Sequence, residues 1–285
     1  MGADGHSRRE AVSLTVISAQ LLTSLVAEGD GSTFETPGTS DFWWPLFGGD
    51  SNWAFTRPSA VMLLTVVVLG WFFVSTSRRL ALVPSKRQWL AEQTYDFVRN
   101  TIARDVIGTK DFKRFLPLLF TLFTLILLNN VAGIIPFIQY PTTSRIAFPI
   151  VLTLIVYITY HAVAIKAKGG VGKYLGSMIP PGLPGWLKPI MFVLELLTYF
   201  FVRPLTLALR LFGNMMAGHL MLLVFIIGGE YLLLHGSAPL KGAGVLSFGF
   251  SILMTAFELL IEFLQAFIFT MLTALYLADA VSEHH

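Results

Sequence analysis

The sequence predicts an all-helical, multi-pass membrane protein, and two observations carry that prediction. The first is scarcity of charge: the 285 residues hold 20 Lys and Arg and 17 Asp and Glu, 13% of the chain, against 54% hydrophobic residues. A soluble domain usually holds about 25% charged residues, so this chain lacks the polar surface to cover a soluble fold. The second is the grouping of the apolar residues into runs long enough to cross a bilayer, which takes about 20 residues as helix. The absence of cysteine excludes a disulfide framework, a thiolate metal site and a cysteine nucleophile. A net charge of +3 does not suggest a nucleic-acid binder, and 24 Phe suit lipid contact.

Five membrane helices are expected, in order. Ser59 to Thr76 carries no charge. Phe115 to Ser144 carries none and ends in a Gly/Pro turn near Gly133 and Pro136. Ile146 to Ile165 carries only the titratable His161, read as a hydrogen-bonded packing residue. Pro189 to Gly229 is apolar yet holds Glu195, Arg203, Arg210 and His219, and Ala243 to Ala278 holds Glu258 and Glu262. These last two runs would span about 54 to 61 Å as helix at 1.5 Å per residue, nearly twice the hydrocarbon thickness of about 30 Å. They must tilt steeply, lie in the membrane plane or break, and Pro204 is positioned to kink the first. A tilted hairpin over about residues 189–280 is the expectation. Glu230 and His235 are assigned to the loop between its arms and Asp279 to its solvated end. Glu262 is expected to snorkel to water, with Glu195 and Arg203 open to either reading.

Lys and Arg set the orientation. Between the first two spans lie Arg78, Arg79, Lys86, Arg87, Arg99, Arg104, Lys110, Lys113 and Arg114, which makes that loop cytoplasmic. The next loop has only Arg145, and the one after has Lys166, Lys168, Lys173 and Lys188. The N-terminus is therefore expected outside and the C-terminus in the cytoplasm. Trp89, Leu90, Tyr95, Phe97, Val98 and Ile102 recur at helical spacing among the charges of the first cytoplasmic loop. They predict an amphipathic helix on the inner membrane surface.

Residues 1–57 form an extracytoplasmic N-terminal segment and 58–285 a single membrane domain in this reading. Ala11 to Ala27 resembles a weak signal-peptide core or a short amphipathic helix. Phe42, Trp43 and Trp44 suit an interfacial aromatic belt or a packed loop.

Several motifs fail. Gly169-Gly170-Val171-Gly172-Lys173 lacks both the first glycine and the Ser or Thr after the lysine that a phosphate-binding loop needs, so it is a glycine-rich turn. No HExxH or GxSxG pattern occurs and the histidines are scattered, so no metal site and no intramembrane hydrolase are expected.

Arg210 stands apart. It lies in Leu207-Ala208-Leu209-Arg210-Leu211-Phe212-Gly213-Asn214, near the middle of its run. A charge at the bilayer centre costs about 2.5–3.5 kcal/mol even on the lenient scale, and a guanidinium cannot shed its proton. It must face water, a carboxylate or both. Asn214, four residues on, shares its helix face. His219, nine residues on, turns about 900° and lies on the opposite side, about 13 Å along. On the last helix Glu258 and Gln265 are nearly in line, and Glu258 could pair with His219 as a proton relay.

These residues resemble subunit a of the rotary (F-type) ATP synthase membrane sector. The resemblance rests on the Arg210 to Asn214 motif, on Leu264-Gln265-Ala266-Phe267-Ile268-Phe269, and on Asn130-Val131-Ala132-Gly133-Ile134-Ile135-Pro136, in order over about residues 58–280. It implies a proton-translocating stator subunit that offers two offset half-channels to a rotating ring of c subunits, with Arg210 as the essential arginine. Asn214 and Gln265 match the polar residues flanking that arginine, and His219 and Glu258 match a relay pair with the acid and histidine exchanged relative to some relatives. Glu195 matches a family acid at a distance to Arg210 one residue longer. The family implies the c ring, the peripheral-stalk b subunits, other ATP synthase subunits and the lipid bilayer as partners, in a bacterial cell membrane. It implies no cofactor, no nucleotide and no nucleic acid, because ATP chemistry belongs to other subunits. A secondary transporter using Arg210 to hold an anionic substrate is the alternative, and it predicts an internal repeat that the sequence lacks. A structural scaffold would have no reason to hold Arg210, His219 and Glu258 within membrane helices.

Overall fold

The computed structural model describes residues 45–47, 55–78, 81–135, 142–179, 182 and 184–282. Ala11 to Ala27, Phe42 to Trp44 and Pro136 lie outside the described residues. The expected all-helical membrane fold is present. Among the described residues five helices are long and apolar enough to cross a membrane: Pro58–Ser77, Phe112–Ile134, Ala147–Lys168, Lys188–His235 and Ala238–Val281. Two short antiparallel strands, β1 (Pro45–Phe47) and β2 (Phe55–Thr56), precede them.

Helix α1 (Arg57–Ser77) is the least covered span, with almost none of its apolar stretch buried. Leu63, Leu64, Val67, Trp71 and Val74 point outward, as lipid contact requires. Helix α2 (Lys86–Asp96) starts on Ser85, whose hydroxyl accepts the Gln88 backbone N–H as an N-cap. A π-helical stretch, Phe97–Arg104, and a last turn, Asp105–Ile107, continue it. The apolar residues expected to share one surface-lying face divide in two. Trp89, Leu90 and Tyr95 are exposed, whereas Val98, Ile102 and Ala103 are fully buried in the core. The extra residue of a π turn shifts the phase of everything after it, so the later residues point at α3 instead of outward.

Helix α3 (Phe112–Ile134) buries Phe115, Leu119, Phe123 and Ile126 along one face at helical spacing. Helix α4 (Ala147–Lys168) buries Leu152, Val156, Tyr160 and Val163. It ends at Gly169, whose φ of 74° is left-handed, and the Gly170 N–H returns to the Ile165 carbonyl at 2.9 Å. The glycine run is thus a helix stop, as its composition predicts, and it leads into the short α5 (Val171–Gly176).

Helix α6 (Lys188–Leu197) runs through a π turn, Thr198–Val202, into α7 (Arg203–His235). The π turn explains why Pro204 does not break this run. Proline lacks an N–H and crowds the carbonyl four residues back; the wider turn before it closes on the Arg203 N–H and the Thr198 carbonyl instead. Helix α8 is Ala238–Val281. The two long spans hold 48 and 44 residues, about 72 and 66 Å of helix, so neither fits upright across about 30 Å of hydrocarbon. Both exceed expectation at the same place. Glu230 and His235, assigned to a loop, lie in the last turns of α7. Their polarity does not interrupt a helix, because a helix end can carry polar side chains to the interface.

The described residues fall into two compact units, one within Phe42–Gly218 and Glu258–His285, the other within His219–Phe257. The first holds the hydrophobic core, where α3, α4 and the π stretch before α3 meet Leu207 and Leu211 of α7 and Ala266, Phe269, Ala274 and Leu277 of α8. In the second, the Ser247 hydroxyl donates to the Phe225 carbonyl at 2.7 Å, and Phe225 stacks on Phe250. Gly229 and Gly244 let the backbones approach there: a methyl group on Gly229 would meet the Gly244 carbonyl at 3.3 Å. Small residues are how helices pack closely where water supplies no driving force.

Candidate functional site

In the first unit, α7 and α8 are antiparallel neighbours tied at two levels. At one, Arg203 donates to the Asp279 carboxylate from both terminal nitrogens at 3.1 Å. Its guanidinium lies 3.6 Å from the Tyr199 ring centroid and 4.8 Å from that of Tyr276. The Tyr199 hydroxyl donates to the same carboxylate at 2.6 Å, and the Tyr160 hydroxyl to the Tyr199 carbonyl at 2.7 Å. Asp279 was expected to be simply solvated; it is instead the anchor of a charge cluster. Arg203 could be held only where a carboxylate and two aromatic faces replace its hydration.

Beside this cluster His161 is 8% exposed and shares a 2.8 Å hydrogen bond with the Tyr174 hydroxyl. Burial raises the Tyr174 hydroxyl above its usual range. His161 is thus the packing residue that its apolar helix suggests.

At the second level the Asn214 side-chain amide donates to the Gln265 carbonyl oxygen at 2.8 Å. Gln265 is 3% exposed, while Asn214 is exposed. This is where the π-free part of α7 shows two faces. Leu207, Leu211 and Met215 turn inward. Thr206, Arg210, Asn214 and Ala217 form an exposed stripe at spacings of four, four and three. Arg210 is thus exposed in the middle of an apolar span, and among the described residues no hydrogen bond or ion pair holds its guanidinium.

The other candidates are dispersed along the same two helices. Glu258 is 4% exposed and lies against α7 at Gly218, where an added methyl would come within 2.9 Å of its Oε1. His219 is 6% exposed and belongs to the second unit. Glu195 is half-buried on α6. The π turn between Glu195 and Arg210 takes up one residue of their separation. They therefore keep the angular relation of residues one step closer in an uninterrupted α-helix.

Glu262 was expected to reach water and does not: it is 1% exposed, inside the first unit. Its neighbourhood is a polar column that sequence reasoning missed. The Asn130 side chain donates to the Glu262 backbone carbonyl at 3.4 Å and accepts from the Thr143 hydroxyl at 3.1 Å; Thr142 donates to Asn129 at 2.9 Å. All five residues are essentially inaccessible. The signal available beforehand was the adjacent pair Asn129 and Asn130 inside an apolar helix, since buried amides demand partners.

The chain is similar to known proteins along most of its length. The family model described as ATP synthase A chain matches residues 59–278. The ATP synthase subunit a of a Nocardioides species is 41% identical over 269 residues, which covers 91% of this chain and 96% of that protein. That of Pseudarthrobacter chlorophenolicus is 42% identical over 253 residues, covering 88% and 95%. That of Streptomyces lividans is 40% identical over 258 residues, covering 90% and 91%.

Proposed function

The chain belongs to the ATP synthase A chain family, and from that premise we propose that α7 and α8 conduct protons past Arg210 to a rotating c ring. It is a multi-pass membrane component of the ATP synthase complex, and ATP chemistry is not its own. The observation that carries the finer reading is the exposed Arg210 on an apolar span, with no ionic partner within the described residues. A guanidinium without an ionic partner among the described residues is stable on an apolar span only against a carboxylate or water from beyond them. A ring of subunits that each bring one membrane carboxylate supplies it. Charge pairing favours the ionised carboxylate, so an arriving protonated site releases its proton, and the fixed positive charge stops protons from passing directly between the two half-channels.

Asn214 and Gln265 hold the stripe in place: their hydrogen bond fixes α7 against α8 one turn from Arg210. The family resemblance assigns His219 and Glu258 to one half-channel and Glu195 to the other. The loop carrying α2 is cytoplasmic, where the b subunits of the peripheral stalk meet it. Residues 1–57 are an extracytoplasmic segment leading into one membrane domain. The test is ATP-driven proton pumping in inverted vesicles: Arg210→Lys abolishes it, because lysine offers neither the fork nor the fixed charge. Normal pumping by that variant overturns the reading.

A further inference from the structure

One turn of α8 carries an acid to which the relay assigns no role. Glu258, Glu262 and Gln265 are spaced by four and three residues, so they lie on one helix face. They are 4%, 1% and 3% exposed, on a helix that is otherwise apolar at this level. Gln265 is bonded to Asn214, which shares the stripe of Arg210. Glu262 thus occupies the step between Glu258 and the Gln265–Asn214 bond.

The backbone of this turn is pinned by Asn130, itself held by Thr143. The carboxylate is not: among the described residues neither oxygen of Glu262 accepts a hydrogen bond. A buried acid is costly, and here it is not repaid by any structural bond. A leucine would fill the same place on an apolar helix at no such cost. The ionisable group acting on it is Glu258. The neighbours brought beside the next residue, Phe263, by the π stretch and by α3 are Phe97 and Phe123, which carry no charge. Two ionised carboxylates one turn apart on one helix face repel each other.

We propose that Glu262 is a second proton-carrying carboxyl of the access path, exchanging a proton with Glu258 and delivering it toward the Asn214 and Arg210 stripe. The inference rests on the reading of α7 and α8 as the proton path. In the step, the O–H bond of one carboxyl breaks as that of the other forms. The negative charge moves the opposite way, and nothing else is consumed.

The experiment uses the complete ATP synthase in inverted vesicles. Glu262→Gln keeps the shape and removes the proton carrier; ATP-driven pumping falls roughly tenfold or more at unchanged amounts of assembled complex. Glu262→Asp restores a carboxyl, recovers most of the rate and shifts the pH midpoint of pumping, which a purely structural role would not move. Wild-type pumping by Glu262→Gln overturns the proposal. If that variant fails to assemble, Glu262→Asp decides alone, and an unshifted pH profile overturns it. Arg210→Lys measured in parallel separates the two readings. Pumping retained there removes the parent reading, whereas pumping lost there but intact in Glu262→Gln removes this one only.

Discussion

Arg203 and Arg210 lie two turns apart on one helix, nearly in line, and the chain treats them in opposite ways. Arg203 is satisfied within the molecule, by Asp279 and by the faces of Tyr199 and Tyr276. Arg210 is exposed, and the polar residue one turn away, Asn214, is committed to Gln265 instead of to it. Both guanidiniums meet the same rule, that a permanent charge on a membrane helix needs a partner. Among the described residues only Arg203 has its partner, and the proposal is that the c ring brings the other. Arg203 is thus part of the scaffold, and Arg210 is what the scaffold presents.

Variants can break this contrast. The largest effect is expected at the presented arginine: Arg210→Lys abolishes ATP-driven pumping, a loss beyond about two orders of magnitude, with the amount of assembled complex unchanged. At the scaffold arginine the loss falls on stability. Asp279→Asn removes the charge that holds Arg203 and destabilises the first unit by about 1.5–3 kcal/mol. It is read as earlier thermal loss of the complex in detergent, with pumping per surviving complex close to normal. Next come His219→Ala and Glu258→Ala, each expected to slow proton flow about tenfold. The double variant should lose less than the two losses combined; independent losses would argue against a shared relay. Asn214→Leu leaves the Gln265 carbonyl without its donor, a loss of about 1 kcal/mol and several-fold in pumping. The smallest effect is Gly218→Ala, whose methyl would crowd Oε1 of Glu258 at 2.9 Å. The carboxylate can swing aside, so pumping should change less than about threefold.

How much of this was legible beforehand follows from which physics each feature obeys. Span number is set by hydropathy and length, which are local, and each of the five helices overlies one of the five apolar runs, though the limits of several differ. Arg210 stood out as a candidate because a permanent charge has no bland explanation at mid-span. Other features depend on phase or pairing. The π turns at Phe97–Arg104 and Thr198–Val202 are invisible in a 3.6-residue pattern, so Val98 and Ile102 could not be separated from Trp89 and Leu90. Asp279 and Arg203 are far apart in sequence, and nothing local marks them as partners. Glu262 was misjudged for the converse reason: an acid near other acids on a long helix suggests a wet end, and only packing reveals that α3 covers it.

The central claim, that the Arg210 stripe faces the c ring, can be tested directly because the chain has no cysteine of its own. Thr206→Cys and Ala217→Cys lie on the exposed stripe, one turn before and two turns after Arg210, and Leu207→Cys and Leu211→Cys lie on the buried face. Oxidative cross-linking to a cysteine placed beside the membrane carboxylate of the c subunit should capture the first two and not the last two. Cross-links formed from positions 207 and 211, with none from 206 and 217, would contradict the account.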